Sequence, residues 1–253
     1  MHAFLAQVST YKEKLINDGF LVIEDIYQPQ EVEQLINYLE TSTGEGPNFR
    51  KTDDLFAIRN FLHEVPHVNS LLWTDNLHQV IEQLFGPDYF CIKSIFFDKP
   101  PLSNWMVAWH QDLMISVDKR KEIAGFGPWI NKHEAFNVQP PVQMLENIYT
   151  IRLHLDDCDE TNGALKVIAG SHTTGVLSSE QLLHQTKKQK EDVCCVKKGG
   201  IMIMKPLLLH SSSKSTSSRN RRVIHLEFAN QQLPDDLNWK EYINQQNNYS
   251  TVL

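Results

Sequence analysis

Trp109-His110-Gln111-Asp112 sets an imidazole and a carboxylate two positions apart. Far along the chain, LLLHSSSKSTSSRNRRVIHLEF supplies a second imidazole, His210, and a guanidinium, Arg221. Two imidazoles, one carboxylate and one fixed cation are the ligand set of a facial-triad Fe(II) centre with an anchor for an acidic cosubstrate. In a strand, residues i and i+2 share a face, so His110 and Asp112 are predicted to point inward together while Gln111 points elsewhere. A third ligand from a distant strand completes one face of an octahedron and leaves three positions open, as O2 chemistry requires. His210 is expected at the end of a strand starting at Ile201, where a turn aims it inward.

The spacing alone carries little. The chain has 11 His and 15 Asp in 253 residues, so a single His-x-Asp match is close to chance. His154-Leu155-Asp156 and His225-Leu226-Glu227 have the same form. At this level His110 also reads as a buried histidine bonded to Asp112, His210 as a loop residue, and His154 with Asp156 as an alternative metal pair.

The surrounding pattern changes character along the chain. Residues 4–17 have helical spacing, with Phe4, Val8, Tyr11 and Leu15 on one side, and Asp18-Gly19 ends them. Phe20 to Ile23 reads as a strand. Residues 29–39 form a second amphipathic helix, burying Val32, Leu35, Ile36 and Leu39. A polar loop over 41–48 follows, then a third helix over 70–85 stopped by Gly86-Pro87. Beyond Pro87 the texture is β-like, with strands expected over 89–97, 107–117, 148–155, 164–168, 201–204 and 222–228. Residues 118–145 contain Gly125, Gly127, Pro128, Pro140 and Pro141 with little periodicity, the pattern of a lid-like insertion. Helices first and short strands after predict a mainly β protein with flanking helices (α+β). The expected layout is a single domain over 1–253, with helical support over 1–86 and a β core over 87–232.

Composition narrows the class. A net charge of −7 offers no general attraction to nucleic acid or to anionic membranes. The basic cluster Lys187-Lys188-Gln189-Lys190 reads as a solvated face. Cys91, Cys158, Cys194 and Cys195 lack C-x-x-C spacing, and the adjacent pair would face opposite ways in a strand. Neither a signal peptide nor a membrane span is evident, so a reduced, cytoplasmic location is expected.

WHQD, LHLDDCDETNGALKVIAGSH and LLLHSSSKSTSSRNRR together resemble the phytanoyl-CoA dioxygenase-like family of Fe(II)/2-oxoglutarate oxygenases, in the same order from about Phe90 to Phe228. The resemblance implies a double-stranded β-helix, the cupin-like jelly roll. It implies His110, Asp112 and His210 as iron ligands, with Fe(II), 2-oxoglutarate and O2 as cofactors. It implies Arg221, eleven positions after His210, as the 2-oxoglutarate anchor, and a cofactor-binding serine just after that histidine, here Ser212. Ala169 departs from the family's usual proline before Gly-Ser-His. Arginine suits a distal carboxylate better than lysine because its planar fork donates two parallel hydrogen bonds. Arg222 would face the other way and is read as structural, as are His172, His225 and Glu227.

The implied activity is hydroxylation of a small organic substrate with release of succinate and CO2. Asp112 favours this over halogenation, since related halogenases replace that carboxylate with a small residue. Two other readings use the same residues: an inactive or ligand-sensing metal-binding jelly roll, and a Zn-dependent cupin-type hydrolase or isomerase. Candidate substrate contacts are Asn104, Trp105, Arg152 and His154, with Phe126 and Trp129 from the insertion packing the lid or lining the pocket. No basic groove that would demand a CoA thioester is visible, and nothing in the sequence bears on oligomeric state.

Overall fold

The structure, a computed structural model, describes residues 2–41, 45–132 and 135–243. Residues 42–44 of the expected polar loop and 133–134 of the expected lid lie outside the described residues.

The N-terminal part is helical but broken more often than its periodicity suggests. The segment read as one helix over 4–17 is two, α1 (His2–Leu5) and α2 (Val8–Asn17). Strand β1 (Phe20–Ile23) and helix α3 (Pro29–Thr41) follow, and α3 buries the predicted Val32, Leu35, Ile36 and Leu39. A hairpin that the sequence reading lacks comes next, β2 (Phe49–Thr52) and β3 (Leu55–Arg59). After α4 (Phe61–Glu64), the single helix expected over 70–85 is α5 (Asn69–Leu72) and α6 (Asp75–Leu84). Thr74 causes the break: it is extended, and its hydroxyl accepts the Leu77 N–H to cap α6.

The β region then runs β4 (Phe90–Lys99), β5 (Val107–His110), β6 (Ile115–Val117), β7 (Trp129–Lys132) and β8 (Ala135–Val138). Helix α7 (Val142–Glu146) precedes β9 (Tyr149–His154) and β10 (Leu165–Val167). Helix α8 (Ser179–Lys188), with no buried residue, leads to β11 (Asp192–Cys194), β12 (Ile201–Met204), β13 (His210–Ser212) and β14 (Arg221–Ala229).

The strands form a seven-stranded sheet in the order β1-β12-β9-β14-β4-β3-β2 and a four-stranded sheet in the order β11-β10-β13-β5. Their pairings are antiparallel, and together they make the double-stranded β-helix, or jelly roll, with helices on one side. Three strands of the larger sheet therefore come from the N-terminal part, which is more than helical support. The insertion is also structured: β7 and β8 pair with each other and β8 with β6, a third sheet.

Burial explains why the larger sheet alternates. Ile151 and Leu153 of β9, Ile201 and Ile203 of β12, and Ile224 and Leu226 of β14 pack against Leu35, Leu77, Val80 and Ile81 of the helices. Each such side chain contributes about 1.5–3 kcal/mol of apolar burial. The intervening residues, among them Arg152, Arg221, His225 and Glu227, turn to the opposite face and are buried too. That second face looks toward the four-stranded sheet.

Arg222 is structural as expected: its guanidinium grips both oxygens of Asp156, at 2.9 and 2.7 Å, and reaches Glu40. Cys194 is buried and Cys195 exposed, and all four cysteines are free. Among the described residues no helix is long and apolar enough to cross a membrane.

Candidate functional site

His110 and His210 meet because β5 and β13 are neighbours in the four-stranded sheet, with the two histidines directly opposite. Their ring centroids lie 4.1 Å apart. His210 opens its own strand, β13, rather than ending the strand from Ile201, and the turn over 205–209 separates the two. Asp112 likewise departs from the expectation. The strand stops at His110, and Asp112 sits in the loop after it, its N–H donating to Pro206 O at 2.9 Å. Gln111 pins that loop. Its buried amide donates to Gly175 O and Leu207 O, both at 2.8 Å, and accepts from Leu177 N–H. Asp112 is thereby swung back between the histidines, Oδ1 3.5 Å from His110 Nε2 and Oδ2 3.5 Å from His210 Nε2.

Both rings are preset as ligands. His110 Nδ1 lies 2.8 Å from Ala108 O, and His210 Nδ1 lies 2.9 Å from Leu208 O. A carbonyl only accepts, so each Nδ1 carries the proton and each Nε2 presents its lone pair toward Asp112. Burial holds the His210 imidazole down at about 4, against the pull of Asp112. Burial lowers His110 as well, but the Asp112 hydrogen bond and charge outweigh it and the net shift is upward. Burial alone would raise Asp112; the two histidines reverse this and hold it well below the usual carboxylate range. One nitrogen from each histidine and one carboxylate oxygen lie within 4.8 Å of one another, a three-donor set that can hold a divalent metal with positions left open.

Arg221 opens β14 and is 2% exposed. Its Nη1 donates to Gly163 O at 2.6 Å, while its Nε is buried with no partner. Ser212 Oγ is likewise buried and unpartnered. Both residues line a cavity of about 780 Å³ between the two main sheets, together with His110, Asp112 and His210. Unsatisfied buried donors cost free energy, so this end of the cavity is built for a ligand that accepts hydrogen bonds. The donor set fits iron, and the open donors of Arg221 and Ser212 fit an anionic cosubstrate.

The predicted substrate contacts divide. Trp105 lines the cavity, stacked on Phe97 at 6.0 Å between centroids. Arg152 lines it as well. Asn104 does not: it is exposed, and its N–H donates to Asp54 Oδ1. His154 is buried on the Arg152 face but is not among the cavity's lining residues, and neither ring nitrogen has a partner. Phe126 and Trp129 pack into a hydrophobic cluster with Ile115, Val117 and Val138, whereas Ile130 and Asn137 of the insertion reach the cavity.

His225 and Glu227, read above as merely structural, also line the cavity. They belong to a chain across three adjacent strands. Arg152 Nη1 lies 3.0 Å from His225 Nδ1, His225 Nε2 lies 3.1 Å from Glu227 Oε1, and Lys93 Nζ lies 2.9 Å from the same oxygen. Arginine can only donate, so His225 Nδ1 accepts and its proton sits on Nε2, facing Glu227. The signal was available: 221, 223, 225 and 227 share one face of β14. Lys93 needed the strand pairing, because it meets Glu227 only in the β4–β14 register.

A jelly roll with a two-histidine, one-carboxylate centre defines a class of non-haem metal proteins, and the comparisons place the chain within it. The phytanoyl-CoA dioxygenase (PhyH) family pattern matches residues 16–223, and the chain belongs to that family. Membership places it among the 2-oxoglutarate-dependent oxygenases. Among curated proteins, none matches. AviO1 from Streptomyces viridochromogenes Tue57 superimposes with a TM-score of 0.63 at 18% identity, over 90% of this chain and 96% of that one. EctD from S. alaskensis, with 2-oxoglutarate and 5-hydroxyectoine, does so with 0.67 at 18% identity, over 87% and 75%. SnoK, a non-heme alpha ketoglutarate dependent carbocyclase from nogalamycin biosynthesis, gives 0.63 at 15% identity, over 87% and 82%.

Proposed function

We propose that this protein hydroxylates a small organic substrate using Fe(II), 2-oxoglutarate and O2, releasing succinate and CO2. The observation that carries the reading is the placement of one buried, incompletely bonded arginine in the same cavity as the three metal-type donors. In this reading His110, Asp112 and His210 hold the iron through Nε2, carboxylate and Nε2. Arg221 and Ser212 bind the distal carboxylate of 2-oxoglutarate. Iron with 2-oxoglutarate supplies the activation of O2 for attack on a substrate C–H bond.

The chain's own residues set the geometry of that chemistry. Ala108 O and Leu208 O fix the two ligand tautomers. Gln111 holds the loop that carries Asp112. Gly163 O holds Arg221 in place. Trp105, Phe97, Val107 and Ile130 give the cavity an apolar wall that limits water at the reacting carbon. SnoK shows that ring closure also runs on this fold, so hydroxylation here rests on the retained Asp112 and on the resemblance, not on the fold. A Zn hydrolase would use the same three ligands but would leave the open Nε of Arg221 without a role.

The test is anaerobic titration of the apo protein with Fe(II) and 2-oxoglutarate, following the weak visible charge-transfer band. The expected outcome is a band in the wild type that weakens in Arg221→Ala. Bound metal without a band would defeat the reading.

A further inference from the structure

Resting on the oxygenase reading above, we propose that the substrate carries a carboxylate and that Arg59 is the residue that binds it. Arg59 closes β3 opposite Ile95 of β4. Ile95 lies opposite His225 of β14, and His225 opposite Arg152 of β9. Residues paired across strands share a face, so these four form one row on the sheet, and all four line the cavity. With strands spaced by about 4.8 Å, the backbone at Arg59 stands roughly 14 Å from that at Arg152. Arg221 lies four residues along β14 from His225, roughly 13 Å away in a perpendicular direction. Two strands across and four residues along, the backbones of Arg59 and Arg221 therefore stand roughly 16 Å apart. A 2-oxoglutarate held at Arg221 would leave Arg59 to a second anion.

The surroundings of Arg59 are those of a binding group rather than a structural one. Its Nη1 is fully buried with no partner. Among the described residues no carboxylate forms an ion pair with it, in contrast to Arg222 with Asp156 and Arg219 with Asp159. Burial, then the like charge of Arg50, pushes its pKa down. An unpaired, partly desolvated guanidinium is a cost to the folded protein, and an anion is what removes the cost. The planar fork matches a carboxylate through two parallel hydrogen bonds. Ile95, paired with Arg59, and Phe97, stacked on Trp105, give the same cavity an apolar and aromatic wall. The substrate is therefore an organic acid with an apolar body, held by its acid group with the body laid toward the metal.

The probe is acetate, with methylammonium as the opposite charge and acetamide as the neutral isostere. The protein is loaded with Ni(II) and saturating 2-oxoglutarate, at constant ionic strength. Arginine side-chain 15N–1H resonances are followed, with Arg59 assigned by its loss in Arg59→Lys, or by through-bond experiments should that variant fail to fold. The expected result is a saturable acetate shift at Arg59, persisting with 2-oxoglutarate bound and at least ten-fold stronger than any response to acetamide or methylammonium. An unmoved Arg59, an equal response to the other two probes, or a shift abolished by 2-oxoglutarate would overturn the proposal. In Arg59→Gln the melting temperature should hold or rise and 2-oxoglutarate affinity should change less than two-fold; a clear fall in melting temperature assigns Arg59 to the fold and overturns it as well. An Arg221 resonance that ignores 2-oxoglutarate would instead count against the oxygenase reading, and the acetate arm at Arg59 is read independently of it.

Discussion

A methyl group added at Gly163 would lie 2.7 Å from both Lys99 Nζ and Ser213 O, at a φ of +83 that side chains rarely adopt. The carbonyl of the same residue holds Arg221. Gly163→Ala is therefore expected to shift Arg221 and weaken 2-oxoglutarate binding about ten-fold or more, with Fe(II) affinity little changed; separate titrations of metal and cosubstrate check this. Asp112→Ala removes the one anionic donor and leaves two neutral imidazoles. Metal binding and turnover should fall by about two orders of magnitude or more, measured by equilibrium dialysis and succinate release. At this scale the site was largely legible. His110, Asp112, His210, Arg221 and Ser212 all line one cavity; the motifs named these residues, though not the loop that carries Asp112. Arg59 and Lys93 were not legible, since each acquires its meaning only from a partner strand.

Elements explain where the reading and the fold part. The strand expected over 107–117 fails at Gln111, whose side chain replaces ladder hydrogen bonds with bonds to Gly175, Leu207 and Leu177. That interruption is what brings Asp112 between two histidines on neighbouring strands. The β2–β3 hairpin was missed because β2, Phe-Arg-Lys-Thr, is mostly exposed at the sheet's edge and reads as loop. Helices α5 and α6 share a continuous apolar stripe, so their periodicity hides the break at Thr74. Removing that cap in Thr74→Ala should destabilise the protein by about 1 kcal/mol, read as a lower urea midpoint at unchanged slope. Ile151→Ala, beneath the helices, should cost about 2–5 kcal/mol by the same measurement.

Charge buried across the whole molecule makes its stability depend on pH. Glu241 is 8% exposed, and burial, opposed by its hydrogen bonds to Ser94, raises its carboxyl to about 7. The folded state therefore binds this proton more tightly than the unfolded chain does. Stability contributed by Glu241 is full below the unfolded value and falls as pH rises from about 4.5 to about 7, by roughly 3 kcal/mol at most. Glu241→Gln should flatten that slope in urea unfolding measured at pH 5 and pH 7.5. The β texture after Pro87 was legible, but the two strands β2 and β3 that the N-terminal part adds to the larger sheet were not. The pairing order was not, because it depends on contacts far apart in sequence. The larger sheet has apolar side chains on its helix side and polar ones facing the cavity, several of them short of partners. Such a sheet is an unfinished interior: metal and cosubstrate are its missing packing as much as its reagents. Each should raise the melting temperature in proportion to the logarithm of its concentration over its dissociation constant, so heat resistance alone would report whether the protein is loaded.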